Sequence, residues 1–235
     1  MAKRQGSAYM TAGEQIAGVV FLVIYILVLP WVTDPIFDFA GRLLGTGISA
    51  HIRNLIYYYT LFAVTVLIFH GFLGRTCRNF FNNAVGTAKY LFAGLVGLYG
   101  LNELVFRVTN VLMNNHVNLN NAAISAEVHD APRTTFLILV LLAPFVEEVL
   151  FRGLVFGNLK GKSWALAYVV SCGLFALFHL WQFVVVHQSV TYFIILLQYL
   201  VPGAVLAWVY DRTGTLWTSI FVHAAANALA VWVSM

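Results

Sequence analysis

The chain has 235 residues, 61% of them hydrophobic and only 9% charged, with a mean hydropathy of +0.84. A soluble globular domain carries about 25% charged residues, so composition excludes that class and points to a polytopic helical membrane protein. The net charge of +4 is too small to signal nucleic-acid binding, and its distribution among loops is the informative quantity.

In chain order, a short polar start with Lys3 and Arg4 leads into an apolar run, Ile16 to Val32. No small-residue cleavage site follows it, so it reads as a retained first span and not a signal peptide. Asp34 to Arg53 is mixed and reads as an interfacial helix. A second span is expected over Leu55 to Leu73, then a basic, asparagine-containing loop over Gly74 to Lys89, then a third span over Tyr90 to Val111 that holds Glu103 and Arg107. Asn114 to Arg133 is polar and reads as a loop. The fourth span is Thr134 to Leu159, closed by a basic turn at Lys160 to Ser163. Trp164 to Trp181 is the fifth, followed by a short loop over Gln182 to Ser189. Val190 to Tyr210, interrupted by Pro202-Gly203, is the sixth, and Leu216 to Val233, after a turn at Asp211 to Gly214, is the seventh. The expected fold class is therefore all-α: a polytopic membrane helical bundle of about seven transmembrane helices, one integral-membrane domain over 1–235, with the chemistry-bearing motifs in 134–235. Cys77 and Cys172 form no metal-binding pair and are not expected to bridge. Lysine and arginine counts in the short loops are eight on one side (Lys3, Arg4, Arg75, Arg78, Lys89, Lys160, Lys162, Arg212) against three on the other (Arg42, Arg53, Arg133). By the positive-inside rule this expects a cytoplasmic N-terminus and an external C-terminus.

The fourth span is apolar enough to cross a bilayer, yet it contains Glu147, Glu148 and Arg152. Ionisable residues persist at membrane depth where they face a protein-lined or wet cavity and do something there. On a helix Glu148 and Arg152 stand at i and i+4 with the acid first, the favourable order for an ion pair. Glu147 points about 100° away and has no basic residue one turn on, so it reads as the acid free for chemistry. Pro144 removes one backbone hydrogen bond and, by the α-helical rule, frees the carbonyl of Val140, which then needs a partner or water. The fifth span places Phe175 and His179 one turn apart, and the seventh places His223 and Asn227 one turn apart, with Ala224, Ala225 and Ala226 permitting close packing.

Each feature alone has a structural reading. An intramembrane histidine is ordinarily a packing residue, and an i,i+4 acid–base pair a buried ion pair. Convergence changes the balance, because a free glutamate, two histidines and an asparagine from three spans supply a base, imidazoles and an amide donor, the groups that hydrolysis of an amide needs. There is no HExxH, no aspartate within a span, and no GxSxG. What remains is a glutamate-plus-histidine site. Either it activates water without metal, or Glu147, His179 and His223 hold a divalent ion, zinc by its ligand preference, with an open water position. Sequence admits both.

These residues resemble a known family. EEVLFR at 147–152 resembles the EExxxR motif of the CPBP family (CAAX-protease and bacteriocin-processing, or Abi, membrane proteases), FALFH at 175–179 its FxxxH motif, and HAAAN at 223–227 its HxxxN motif, in the same order. The resemblance implies an all-helical intramembrane endopeptidase in which Glu147 and His179 activate water, His223 and Asn227 hold the oxyanion, and Glu148 and Arg152 shape the site. It implies a bacterial plasma-membrane protein acting on a peptide or membrane-anchored protein, with links to bacteriocin processing or self-immunity. The partners expected are the lipid bilayer and such a substrate, with no nucleic acid. Two rivals stand beside it: a non-enzymatic immunity or scaffold protein, and a small proton-coupled transporter, since Glu and His chains also relay protons.

Overall fold

The computed structural model describes residues 9–112, 125, 127–187 and 192–234. Among them no strand occurs, and the chain is an all-α polytopic bundle, as composition and hydropathy indicate. Its long helices are α1 (Ala12–Leu44), α2 (Ala50–Asn82), α3 (Ala84–Leu112), α4 (Pro132–Lys160), α5 (Trp164–His187), α6 (Tyr192–Thr213) and α7 (Leu216–Ser234). Among the described residues six stretches are long and apolar enough to cross a membrane: α1 to α4, Trp164–Trp181 and Leu216–Val233. The helix α6, which contains Pro202, overlaps the sixth expected span, Val190 to Tyr210, and is not among these six.

The central helix is α4. Its apolar window is 72% buried, against 22% for α1 and α2 and 11% for α3, so α4 is sheathed by protein while those three present most of their apolar surface outward. A helix apolar on every side is the sequence form of such a core element. Val146, Val149, Leu150, Phe151 and Phe156 of α4 are fully buried and pack with Tyr25 of α1, Phe69 and Phe72 of α2, Phe175 of α5, Tyr210 of α6 and Leu216 of α7. A second cluster joins Leu98 of α3 to Leu206 and Val209 of α6 and Val222 of α7.

Among the described residues, two of the three π-wound stretches stand just before a proline. A proline ring collides with the carbonyl four residues back and brings no N–H. Widening the preceding turn to π geometry moves that carbonyl aside, and such turns inside helices are a recognised cause of bends. Ile24–Val28 of α1 is π-wound just before Pro30, and Leu137–Leu142 of α4 is π-wound just before Pro144.

Three expectations for the connections are corrected. Asp34 to Arg53 is not a separate interfacial helix: α1 runs through Pro35 to Leu44, ends on Gly45 in the left-handed conformation (φ 65°) that glycine tolerates, and Arg53 on α2 reaches back to Asp38 at 2.7 Å. Gly74 to Lys89 is not an extended loop, since α2 continues to Asn82 and α3 starts at Ala84. There the charge of Arg75 is matched by Glu14 of α1 at 2.7 Å, which lets a basic residue sit at a helix–helix contact. Gln182 to Ser189 is helical through His187, and 188–191 lie outside the described residues. Of the expected loop Asn114 to Arg133, residues 114–124 and 126 also lie outside them, while 127–130 are helical.

Glycine fixes one close approach that the bundle needs. A Cβ on Gly94 of α3 would lie 2.6 Å from a methyl of Val209 and 3.1 Å from one of Val222, whereas one on Gly100 would meet nothing within 4 Å. Both neighbours are β-branched and stiff. Gly94→Val should therefore lower stability by about 1–3 kcal/mol through overpacking, with Gly100→Val close to neutral. Thermal unfolding of the two variants in detergent checks this, and equal melting temperatures would refute the close approach.

Candidate active site

The winding of α4 changes at the two acids. Ala143–Glu147 is α-helical and Glu148–Phe156 is π-wound, so Glu147 and Glu148 leave the helix on different sides of the junction. Glu148 and Arg152 are both fully buried, with Oε1 3.0 Å from Nη1. The Arg152 guanidinium also donates from Nη2 to the carbonyl of Gly203 on α6 (3.2 Å) and lies 4.2 Å over the ring of Phe175 on α5. The i,i+4 pair expected from sequence is present, and one guanidinium ties α4 to two neighbours. Glu103 and Arg107, the second expected i,i+4 pair, also meet, at 2.8 Å, but on the exposed face of α3.

His223 bridges the two acids. Its Nδ1 is 2.9 Å from Oε1 of Glu148, and its Nε2 is 3.9 Å from Oε2 of Glu147. A carboxylate only accepts, so Nδ1 carries the proton that Glu148 receives and Nε2 is turned toward Glu147. His179 is arranged the same way. Its Nδ1 lies 2.8 Å from the Phe175 carbonyl, to which it donates, leaving Nε2 3.7 Å from Oε2 of Glu147. Glu147 is itself buried, and its Oε2 has no hydrogen-bond partner among the described residues. The result is a carboxylate oxygen faced by two imidazole nitrogens, each ring oriented by its far nitrogen. The His179 side chain is 23% exposed, against 11% for His223 and 8% for Glu147, so the group opens past His179.

Asn227 stands apart from this group. Its Nδ2 donates to the carbonyl of Leu139 on α4 at 2.7 Å. Thus Glu147, His179 and His223 of the sequence-derived set converge, Glu148 and Arg152 support them, and Asn227 contacts the backbone of the same helix one level away.

Several neighbours were not anticipated from sequence. Tyr199 of α6 stacks on His179, centroids 5.0 Å apart and planes at 25°. Tyr25 of α1 and Tyr58 of α2 lie within electrostatic reach of Glu147, and Tyr25 packs 4.7 Å from Phe178, the residue before His179. Tyrosines in otherwise apolar runs were the available sign, since a buried phenol seeks a polar partner. Glu14 was also overlooked. It closes a capping box with Thr11 and accepts the Phe72 N–H (2.6 Å) near the break in α2 at Phe69 (φ −107°, ψ 15°). The Thr11-x-x-Glu14 spacing was legible as such a cap.

For a divalent ion the donor chemistry fits: one carboxylate and two imidazole Nε2 atoms, with His223 backed by Glu148 as metal-bound histidines usually are. As placed, no group of three such side chains among the described residues closes tightly enough to hold an ion.

Comparison with known proteins places similarity on the same part of the chain. Residues 130–229 match the family model described as type II CAAX prenyl endopeptidase Rce1-like. A 90-residue stretch is 33% identical to UPF0177 protein YxdF of Lactococcus lactis subsp. lactis (strain IL1403), covering 38% of this chain and 44% of that protein. A 92-residue stretch is 30% identical to YdiL of Bacillus subtilis (strain 168), named a putative membrane peptidase, covering 39% of this chain and 33% of that protein. The match thus spans less than half the length of either relative. No solved structure matches. The matched segment contains α4 to α7 up to residue 229, which carry all six site residues expected from sequence, whereas Tyr25, Tyr58 and Glu14 lie outside it.

Breaking one partner of a buried ion pair leaves an uncompensated charge and costs about 3–5 kcal/mol. Arg152→Ala should lower thermal stability in detergent by about that amount and reduce folded yield. Wild-type yield and melting temperature would show that the pair does not hold α4 in place.

Proposed function

We propose that this protein is an intramembrane endopeptidase that hydrolyses a peptide bond of a membrane-associated peptide or protein by water activated at Glu147. The observation that carries the reading is the buried, unpartnered Oε2 of Glu147 facing Nε2 of both His179 and His223 at 3.7 and 3.9 Å. Polar groups at such separations are commonly bridged by water.

In this reading a water molecule donates one hydrogen bond to Glu147 Oε2 and one to Nε2 of His179. Its oxygen attacks the scissile carbonyl carbon as Glu147 takes the proton, which gives a tetrahedral intermediate with its charge on the former carbonyl oxygen. Nε2–H of His223 stabilises that oxyanion when the ring carries its second proton, with Glu148 balancing the charge through Nδ1. Glu147 then returns the proton to the leaving nitrogen as the C–N bond breaks. A divalent ion, when bound, would be held by Glu147, His179 and His223 and would supply Lewis-acid polarisation. The protein groups that orient both imidazoles, Glu148 and the Phe175 carbonyl, serve either case.

The name of the YdiL relative, a membrane peptidase, supports the activity class, and the family model's CAAX endopeptidase description supports a substrate anchored at the bilayer. The loop charges support a cell-membrane location with the N-terminus inside. A role in bacteriocin processing or self-immunity accords with the family resemblance.

Glu147→Gln keeps shape while removing the basic oxygen. Cleavage of a membrane-anchored candidate peptide, followed by mass spectrometry of the products, should fall about 10²–10⁴-fold with thermal unfolding unchanged. The same assay after chelation, beside metal analysis of the purified protein, separates metal-dependent from metal-independent hydrolysis. Retained cleavage by Glu147→Gln would overturn the assignment, and absence of products from wild-type protein would favour an immunity or carrier role.

A further inference from the structure

The π-wound turn of α4 has a hydrogen-bonding consequence for Asn227. At the end of that turn the Ala143 N–H donates five residues back, to the carbonyl of Ile138. The same count from position 144 reaches Leu139, but residue 144 is proline and has no N–H. By the α-helical rule the freed carbonyl is that of Val140, whereas the π winding makes Leu139 the one that a side chain fills. The donor is Nδ2 of Asn227, at 2.7 Å. Leu139 of α4 and the small Ala224 and Ala228 of α7 pack against one cluster of Val128, Val140 and Val231, where small residues let helices come close.

We infer that Asn227 is a positioning residue: its amide replaces the backbone hydrogen bond that Pro144 denies to Leu139, and so holds the stretch of α4 leading into Glu147 against the helix that carries His223. An unsatisfied carbonyl at membrane depth costs several kcal/mol, and a proline without compensation kinks a helix sharply. Pro144 and Glu147 are three residues apart, roughly 4.5 Å along the axis at 1.5 Å per residue. A bend at Leu139 to Pro144 therefore moves Glu147 relative to both histidines. One hydrogen of the Asn227 amide is committed to this bond, and the other remains for a second acceptor. The kinetic half of the inference rests on the protease reading, whereas the amide–carbonyl linkage does not.

The test is a double-mutant cycle on the full chain, with Asn227→Ala, Pro144→Ala and the pair. Each variant is purified in detergent and followed both by thermal unfolding and by cleavage of the membrane-anchored peptide. Asn227→Ala should lower the melting temperature and reduce kcat on the order of 10²-fold, as a ~1 Å misplacement does, with KM little changed. Pro144→Ala alone should stay near wild type. In the pair an N–H at position 144 can serve Leu139, so both melting temperature and kcat should largely recover. If Asn227→Ala fails to fold alone, recovery of folded protein in the Pro144→Ala background is the expected result and its failure overturns the inference. A kcat loss that Pro144→Ala does not restore, with stability unaffected, would make Asn227 an oxyanion donor and overturn it. A stability loss without any change in kcat per folded molecule would make Asn227 structural only and also overturn it. Coupled stabilities with no cleavage by wild type would leave the linkage standing and sink the protease reading instead.

Discussion

Glu148 and Arg152 are fully buried, 3.0 Å apart on the same helix. Two charges placed there are tolerated only with good geometry and with further hydrogen bonds for their remaining atoms. Part of that comes from outside α4: the Gly203 carbonyl and the Phe175 face for Arg152, and the His223 ring for Glu148, while Glu148 Oε2 and Arg152 Nε have no hydrogen-bond partner among the described residues. The requirement to satisfy one ion pair thus brings α5, α6 and α7 to the same level of α4. His223 is drawn to that level by Glu148, and the same contact turns its other nitrogen toward Glu147. The structural acid positions the imidazole that the free acid faces.

Departures from α geometry in α4 impose a second constraint. Each leaves backbone carbonyls short of donors, and in a membrane protein those donors must come from side chains or water. Ser171 of α5 donates to the Phe151 carbonyl within the second π-wound stretch at 2.8 Å, as Asn227 of α7 does for Leu139 in the first. Both π stretches are therefore stitched to a neighbouring helix by a polar side chain. The central helix can carry a proline and two π-wound stretches because its neighbours supply what its own backbone lacks.

The N-terminal half contributes shape and polarity to a site whose motifs all lie later in the chain. Tyr25 comes from a π-wound turn of α1, and Tyr58 from α2, whose break at Phe69 is capped by Glu14. These residues have no spacing signature relative to Glu147, His179 or His223. Their relation to the site exists only once α1 and α2 pack on α4, so motif reading over 147–227 had no access to them.

Sequence by itself determined the all-α membrane class, because hydropathy and charge depletion reflect the solvent the surface must meet. It also determined the pairing of Glu148 with Arg152 and the separation of Glu147 from them, because both follow from helical periodicity within one segment. Helix ends were less legible. Charged stretches such as Gly74 to Lys89 look like loops until a partner such as Glu14, 61 residues from Arg75, neutralises them. Tertiary structure alone decided that His223 touches both acids, that Tyr199 stacks on His179, and that Asn227 serves a backbone carbonyl. Each of these joins two helices, and neither the distance between helices nor the winding of α4 is encoded in the spacing of residues along either one.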